Sequence, residues 1–149
     1  MDKELKEKLK TLTLLYAEDE EGIRKNIADS LRYYLKEVYE ASNGEEGYLV
    51  YKEKTPSIIL SDIHMPILNG IDFIKKVRQE DRITPVVMIT AHTDKEYLLE
   101  AVELHMEKYL VKPIELEVLF EVLAQCVKMI EINRITKLKV DNNYSYDFW

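Results

Sequence analysis

Asp62 follows the apolar run Ser57-Ile58-Ile59-Leu60 and opens the stretch DIHMPILNG. Glu18-Asp19-Glu20 follows Leu14-Leu15-Tyr16-Ala17, Thr90 closes PVVMIT, and Lys112-Pro113 follows KYLV. Each has an ordinary role alone: a capping aspartate, an acidic first helical turn, a strand-closing threonine, a solvated loop lysine. Their shared position, at the ends of four separate apolar runs, points to one site. Crowded carboxylates raise one another's pKa unless a cation neutralises them. A small hard divalent ion such as Mg²⁺ suits oxygen ligands of this kind. Lys112 adds a positive charge and Thr90 a hydroxyl donor. With one carboxylate partly free to attack, the set fits phosphoryl transfer to that carboxylate.

The elements that must position these residues alternate in texture. Short apolar runs at residues 11–17, 38–42, 57–60, 85–90 and 108–111 read as strands. Between them lie helical spacings: Ile23, Ile27, Leu31, Tyr34 and Leu35; Ile71, Ile74 and Val77; Leu98, Ala101, Val102 and His105. Thr93-Asp94-Lys95-Glu96 reads as a capping box for the third of these. A longer stripe from Ile114 runs through Leu119, Val122, Leu123, Cys126, Val127 and Ile130. Five strands alternating with five helices predict an α/β fold, a parallel sheet covered on both faces. In such sheets ligands bind beyond the carboxyl ends of the strands, where strand order reverses. If strands 1 and 3 are neighbours, Glu18, Asp19 and Asp62 converge there.

Composition narrows the function. The 149 residues match one ordinary domain with a terminal helix or tail to spare, and 46% hydrophobic content supports a packed core. A net charge of −7 argues against direct nucleic-acid binding, which needs a cationic surface. The single cysteine, Cys126, lies in an apolar stripe and reads as a core thiol in a reducing cytoplasm. No apolar stretch approaches the ~18 residues that would span a membrane, and MDKELKEKLK has no signal-peptide core.

LLYAEDE, IILSDIHMPILNGIDFIKKVR, PVVMITAH and KYLVKPI resemble, in order over residues 12–130, the receiver domain of two-component response regulators. That resemblance implies a three-layer, flavodoxin-like (βα)5 fold with strand order 2-1-3-4-5. It implies Asp62 as phosphoacceptor from a histidine kinase, in a domain that catalyses its own phosphorylation and dephosphorylation rather than acting as a separate enzyme. Mg²⁺ would be bound by Asp19, Asp62 and the His64 backbone carbonyl, with Glu18 acting through water. Lys112 would hold the phosphoryl group, Thr90 would move towards it, and Tyr109 would be the aromatic switch. The Lys112–Pro113 bond is expected to be cis. His64 and His92 occupy positions that tune the lifetime of the phosphoryl group. The implied partners are a sensor histidine kinase and a second copy, which would dimerise through the helix over 95–105, the fifth strand and the final helix. His105-Met106-Glu107-Lys108 departs from the Gly-Ala-acidic-acidic stretch of many DNA-binding members, which weakens the usual charge-pair version of that interface.

Two other chemistries fit less well. A haloacid-dehalogenase-type phosphatase needs a second aspartate two residues after the first, where this chain has His64. Glycines at 22, 44, 47 and 70 are too scattered for a nucleotide-cradling loop. The receiver domain is expected over residues 1–133, with 134–149 a linker, tail or the start of an effector domain. The final helix is expected to end near Lys137, with Met129, Ile132 and Ile135 forming a second apolar stripe. The period-2 pattern of 138–149 around Asp141-Asn142-Asn143 then reads as strand, turn, strand, resembling the opening of a winged-helix DNA-binding domain. DNA would be reached only through such a domain, beyond residue 149. The other option is a stand-alone receiver working by protein docking.

Overall fold

The structure is a computed structural model describing residues 1–91, 96, 99, 103, 104 and 108–147, with side chains described through residue 138. Its described elements are α1 (Lys3–Leu9), β1 (Thr13–Ala17), α2 (Glu21–Arg32), β2 (Glu37–Ala41), α3 (Gly44–Lys54), β3 (Ile58–Asp62), α4 (Gly70–Arg78), β4 (Val86–Thr90), β5 (Lys108–Val111) and α5 (Leu116–Asp147). Thr93, Asp94 and Lys95 of the capping box, Leu98, Ala101, Val102 and His105 of the apolar spacing, and His92 lie outside the described residues.

The strands form one parallel sheet in the order β2-β1-β3-β4-β5, as expected. Alternation along each buried strand supplies two cores. Leu14, Tyr16, Ile58, Leu60, Val87 and Ile89 face α2 and α5, where Ala28, Leu31, Leu119, Leu123 and Cys126 cover them. Leu15, Ala17, Ile59, Val86 and Met88 face the opposite way, under Tyr51 of α3 and Ile71, Phe73, Ile74 and Val77 of α4. Every β3 and β4 residue is buried. Burying each Leu or Ile side chain contributes roughly 1.5–3 kcal/mol, so this central pair of strands is the rigid base of the site.

Two terminal features depart from the sequence reading. First, residues 3–9 form α1, where no helix was expected. Asp2 accepts a bond from the Glu4 N–H at 3.3 Å, Leu9 is fully buried, and Lys8 pairs with Glu131 at 2.7 Å. Second, residues 138–147 are not a strand, turn and strand but the continuation of α5, which runs unbroken across residue 133. Thirty-two residues give it a length of roughly 48 Å. Extending an existing helix costs no new nucleus, whereas a short hairpin off the sheet lacks the partners it needs. The apolar alternation was real but had no sheet to join.

Candidate functional site

The strand ends bring the candidate residues together. Ala17 of β1 is level with Ser61 of β3, Asp62 with Ile89 of β4, and Thr90 with Val111 of β5. Glu18, Asp19, Asp62, Thr90 and Lys112 therefore share one edge. Glu18 and Asp62 are each 2% exposed, Thr90 is buried, and Asp19 is open to solvent. Lys112 Nζ donates to Asp62 Oδ2 at 2.7 Å, and the Ile63 N–H donates to Asp62 Oδ1 at 2.8 Å. The Lys112–Pro113 peptide is cis, as expected.

A carboxylate oxygen from each of Glu18, Asp19 and Asp62 lies within 4.8 Å of the others. Burial, with Asp62 beside it, pushes the Glu18 carboxyl up to about 8. Burial works against the Lys112 ammonium, but its bond to Asp62 and the charges of Asp62, Glu18 and Asp19 together outweigh that and raise its pKa. Glu18 Oε2 is buried without a protein hydrogen-bond partner. These residues fit a hydrated divalent cation, which would relieve the repulsion and give the orphaned oxygen a water to accept from. The metal-free protein should then show the cost of this crowding. A carboxyl with a raised folded-state pKa binds its proton more tightly folded than unfolded, so stability falls as pH rises. Urea denaturation in a chelator should show that loss between about pH 4.5 and 8. Glu18→Gln should flatten the slope, and a slope unchanged by that substitution would assign it to other groups.

Glycine 70 fixes how closely the loop after Asp62 returns. Its N–H donates to the Ile63 carbonyl at 2.7 Å, and a Cβ there would collide with the Asp62 backbone carbonyl. Asn69 caps α4 by accepting from the Asp72 N–H at 2.9 Å. Gly70→Ala should cost about 1–3 kcal/mol, the range for forced overpacking, and displace the end of β3. Urea denaturation would measure it. A neutral result would show that the loop yields without effort.

His64 is exposed and, with Asp19, Met65, Pro66 and Asn69, lines a cavity of about 500 Å³ beside the acidic residues. Tyr109 is half-buried against the α3–α4 core, which raises its hydroxyl pKa. Two participants escaped sequence reasoning. Tyr16 is fully buried with its hydroxyl unpartnered, and it lines a second cavity with Glu18, Asn26 and Lys112. Arg24 donates from Nη1 to the Glu18 carbonyl at 2.8 Å. Tyr16 looked like a core residue by spacing, and Arg24's partner is a backbone atom that no side-chain motif reveals.

The model of the response regulator receiver domain matches residues 14–124. The chain belongs to that family. The receiver domain is 31% identical over 134 residues to the sensory transduction protein LytT of Oceanobacillus iheyensis, covering 86% of this chain and 53% of that one. It is 35% identical over 100 residues to the transcriptional regulatory protein SrrA of Staphylococcus aureus, covering 67% and 41%. The chain thus spans about half or less of these relatives. Among crystal structures, the N-terminal domain of an uncharacterized Wolinella succinogenes protein superposes with a TM-score of 0.77 at 29% identity, covering 83% of this chain and 99% of that one. The chemotaxis response regulator CheY4 of Vibrio cholerae superposes with a TM-score of 0.71 at 28% identity, covering 78% and 98%. Among the described residues, no helix is long and apolar enough to cross a membrane.

Proposed function

We propose that this receiver domain works in the cytoplasm, takes a phosphoryl group from a sensor histidine kinase onto Asp62 in a Mg²⁺-dependent reaction, and uses it to switch an output. The observation that carries this reading is the buried Asp62 carboxylate, bonded by Lys112 at 2.7 Å and crowded by Glu18 and Asp19. Asp19, Asp62 and the His64 backbone carbonyl would hold the ion, with Glu18 reaching it through water. When bound, Mg²⁺ supplies positive charge to offset the carboxylates and the phosphoryl oxygens. A carboxylate oxygen of Asp62 attacks phosphorus, forming an O–P bond as the P–N bond of the kinase phosphohistidine breaks. Lys112 passes from the carboxylate to a phosphoryl oxygen. His64 tunes hydrolysis of the product, a role the family resemblance also gives to His92, which lies outside the described residues. No separate substrate is turned over.

Phosphorylation replaces the single charge of the Asp62 carboxylate with a phosphoryl group of nearly two negative charges and three acceptor oxygens beside Thr90 and Lys112. Thr90 follows those oxygens, and Tyr109 turns into the space behind β4. The output face is β5 with α5 and the helix expected over 95–105. Val111, Leu116 and Val118 are exposed there, and Ile132 and Ile135 are each 54% exposed farther along α5. A second copy covering this face would link phosphorylation to dimerisation, and the relatives' names suggest transcription control as the readout. In that reading the receiver spans 1–133, and 134–149 leads into an effector domain that contacts DNA.

Analytical ultracentrifugation tests the switch. Protein treated with Mg²⁺ and beryllofluoride, a stable mimic of phospho-Asp62, should dimerise more tightly than untreated protein. A few kcal/mol of differential binding suffices to move mostly monomer to mostly dimer. Thr90→Ala should blunt the difference. Identical dissociation constants with and without the mimic would mean that the signal leaves by docking to another protein.

A further inference from the structure

We propose that Arg24 and Glu40 form a positioning clamp that sets the metal affinity of the acidic site without touching the ion. Arg24 lies in α2, and its guanidinium makes two directed bonds. Nη1 donates to the Glu18 carbonyl at 2.8 Å, and Nε donates to Glu40 Oε1 at 3.1 Å. Glu40 lies in β2 and is held from its other oxygen by Arg32 Nη2 at 2.8 Å, a nitrogen that also donates to the Val38 carbonyl at 3.1 Å. The Glu18 N–H donates to the Ala41 carbonyl of β2 at 2.9 Å.

The consequence is geometric. The Glu18 carbonyl belongs to the peptide unit that joins Glu18 to Asp19. A peptide unit is planar, so fixing its oxygen also fixes the Asp19 N–H and Cα. Arg24 therefore sets the direction in which the Asp19 carboxylate leaves the chain, while the bond to Ala41 anchors the preceding peptide. The clamp side chains are largely shielded, at 13% exposure for Arg24 and 22% for Glu40. A forked guanidinium suits this role because its donors keep a fixed relative geometry that an ammonium cannot reproduce.

The inference rests on the reading that Glu18, Asp19 and Asp62 hold Mg²⁺, and the test separates the two. Isothermal titration of the full chain with Mg²⁺ is made for the unsubstituted protein, Arg24→Gln, Arg24→Lys and Glu40→Gln, with Asp19→Asn as the control that should lose the site. Outer supports of metal ligands typically change affinity ~10–100-fold. We expect Arg24→Gln to raise the Mg²⁺ dissociation constant about tenfold, at the low end of that range. Glu40→Gln should raise it less but in the same direction, and Arg24→Lys should recover part of the loss. The Mg²⁺ concentration for half-maximal phosphorylation by acetyl phosphate should rise by the same factor, with little change in the saturated rate. A simple charge effect predicts opposite signs, with tighter binding on losing Arg24 and weaker binding on losing Glu40. Opposite signs would overturn the clamp. So would unchanged Mg²⁺ affinity in folded Arg24→Gln and Glu40→Gln that only lowers their denaturation midpoints. Absence of Mg²⁺ binding by the unsubstituted protein would overturn the metal reading itself.

Discussion

Replacing Lys112 with Ala is expected to slow phosphorylation of the protein by acetyl phosphate about 10²–10³-fold at saturating Mg²⁺, the range for removing one preorganised donor at a site of developing charge. The ammonium sits 2.7 Å from Asp62 Oδ2, where the phosphoryl oxygens of the proposed reaction would arrive. Its own pKa is raised, so it stays charged throughout the physiological range. Lys112→Arg should restore little, because a broad planar guanidinium cannot reproduce a compact ammonium beside a buried carboxylate. Part of any loss could come from unfolding. Lys112 is 41% exposed, however, so its pair with Asp62 is partly screened and the fold should survive. Rates read from a phosphate-affinity gel, with denaturation curves run in parallel, separate the two effects. A folded Lys112→Ala protein phosphorylated at the normal rate would remove Lys112 from the chemistry.

Asp62, Glu18, Asp19, Thr90 and Lys112 were legible in the sequence as one candidate cluster because they follow the apolar runs that become neighbouring strands of a parallel sheet. Apolar runs of four to seven residues mark those ends clearly. The structure brings all five to one edge, and the strand order follows the expected one. The helix stripes Ile71, Ile74, Val77 and Leu119, Leu123, Cys126 are buried as their spacing predicts.

What stayed hidden depended on partners. Alternation at 138–147 was read as strand, yet whether such a segment pairs or extends a helix depends on what lies beside it. Asp2, Leu5 and Leu9 carried the cap and i,i+4 signals of α1, but seven residues are too few to hold a helix without α5 to pack on. That the missing side chain of Gly70 makes room for the Asp62 backbone could not be read from the sequence. Arg24 was invisible because its key contact is a carbonyl, and every residue has one.

The central claim is that Asp62 alone is the phosphoacceptor. Asp62 is 2% exposed, and its carboxylate is held by Lys112 and the Ile63 N–H and faces two further carboxylates suited to a shared cation. Asp19 is the more accessible acid, so reactivity set by exposure alone would favour it. The two possibilities are separated by reductive trapping. The protein is incubated with acetyl phosphate and Mg²⁺, treated with borohydride to convert any acyl phosphate to an alcohol, digested and sequenced by mass spectrometry. Homoserine is expected at position 62 and nowhere else, with no product in chelator and none in Asp62→Ala. Homoserine at position 19 or 5-hydroxynorvaline at position 18 in the unsubstituted protein, or undiminished phosphate uptake by Asp62→Ala, would contradict that assignment.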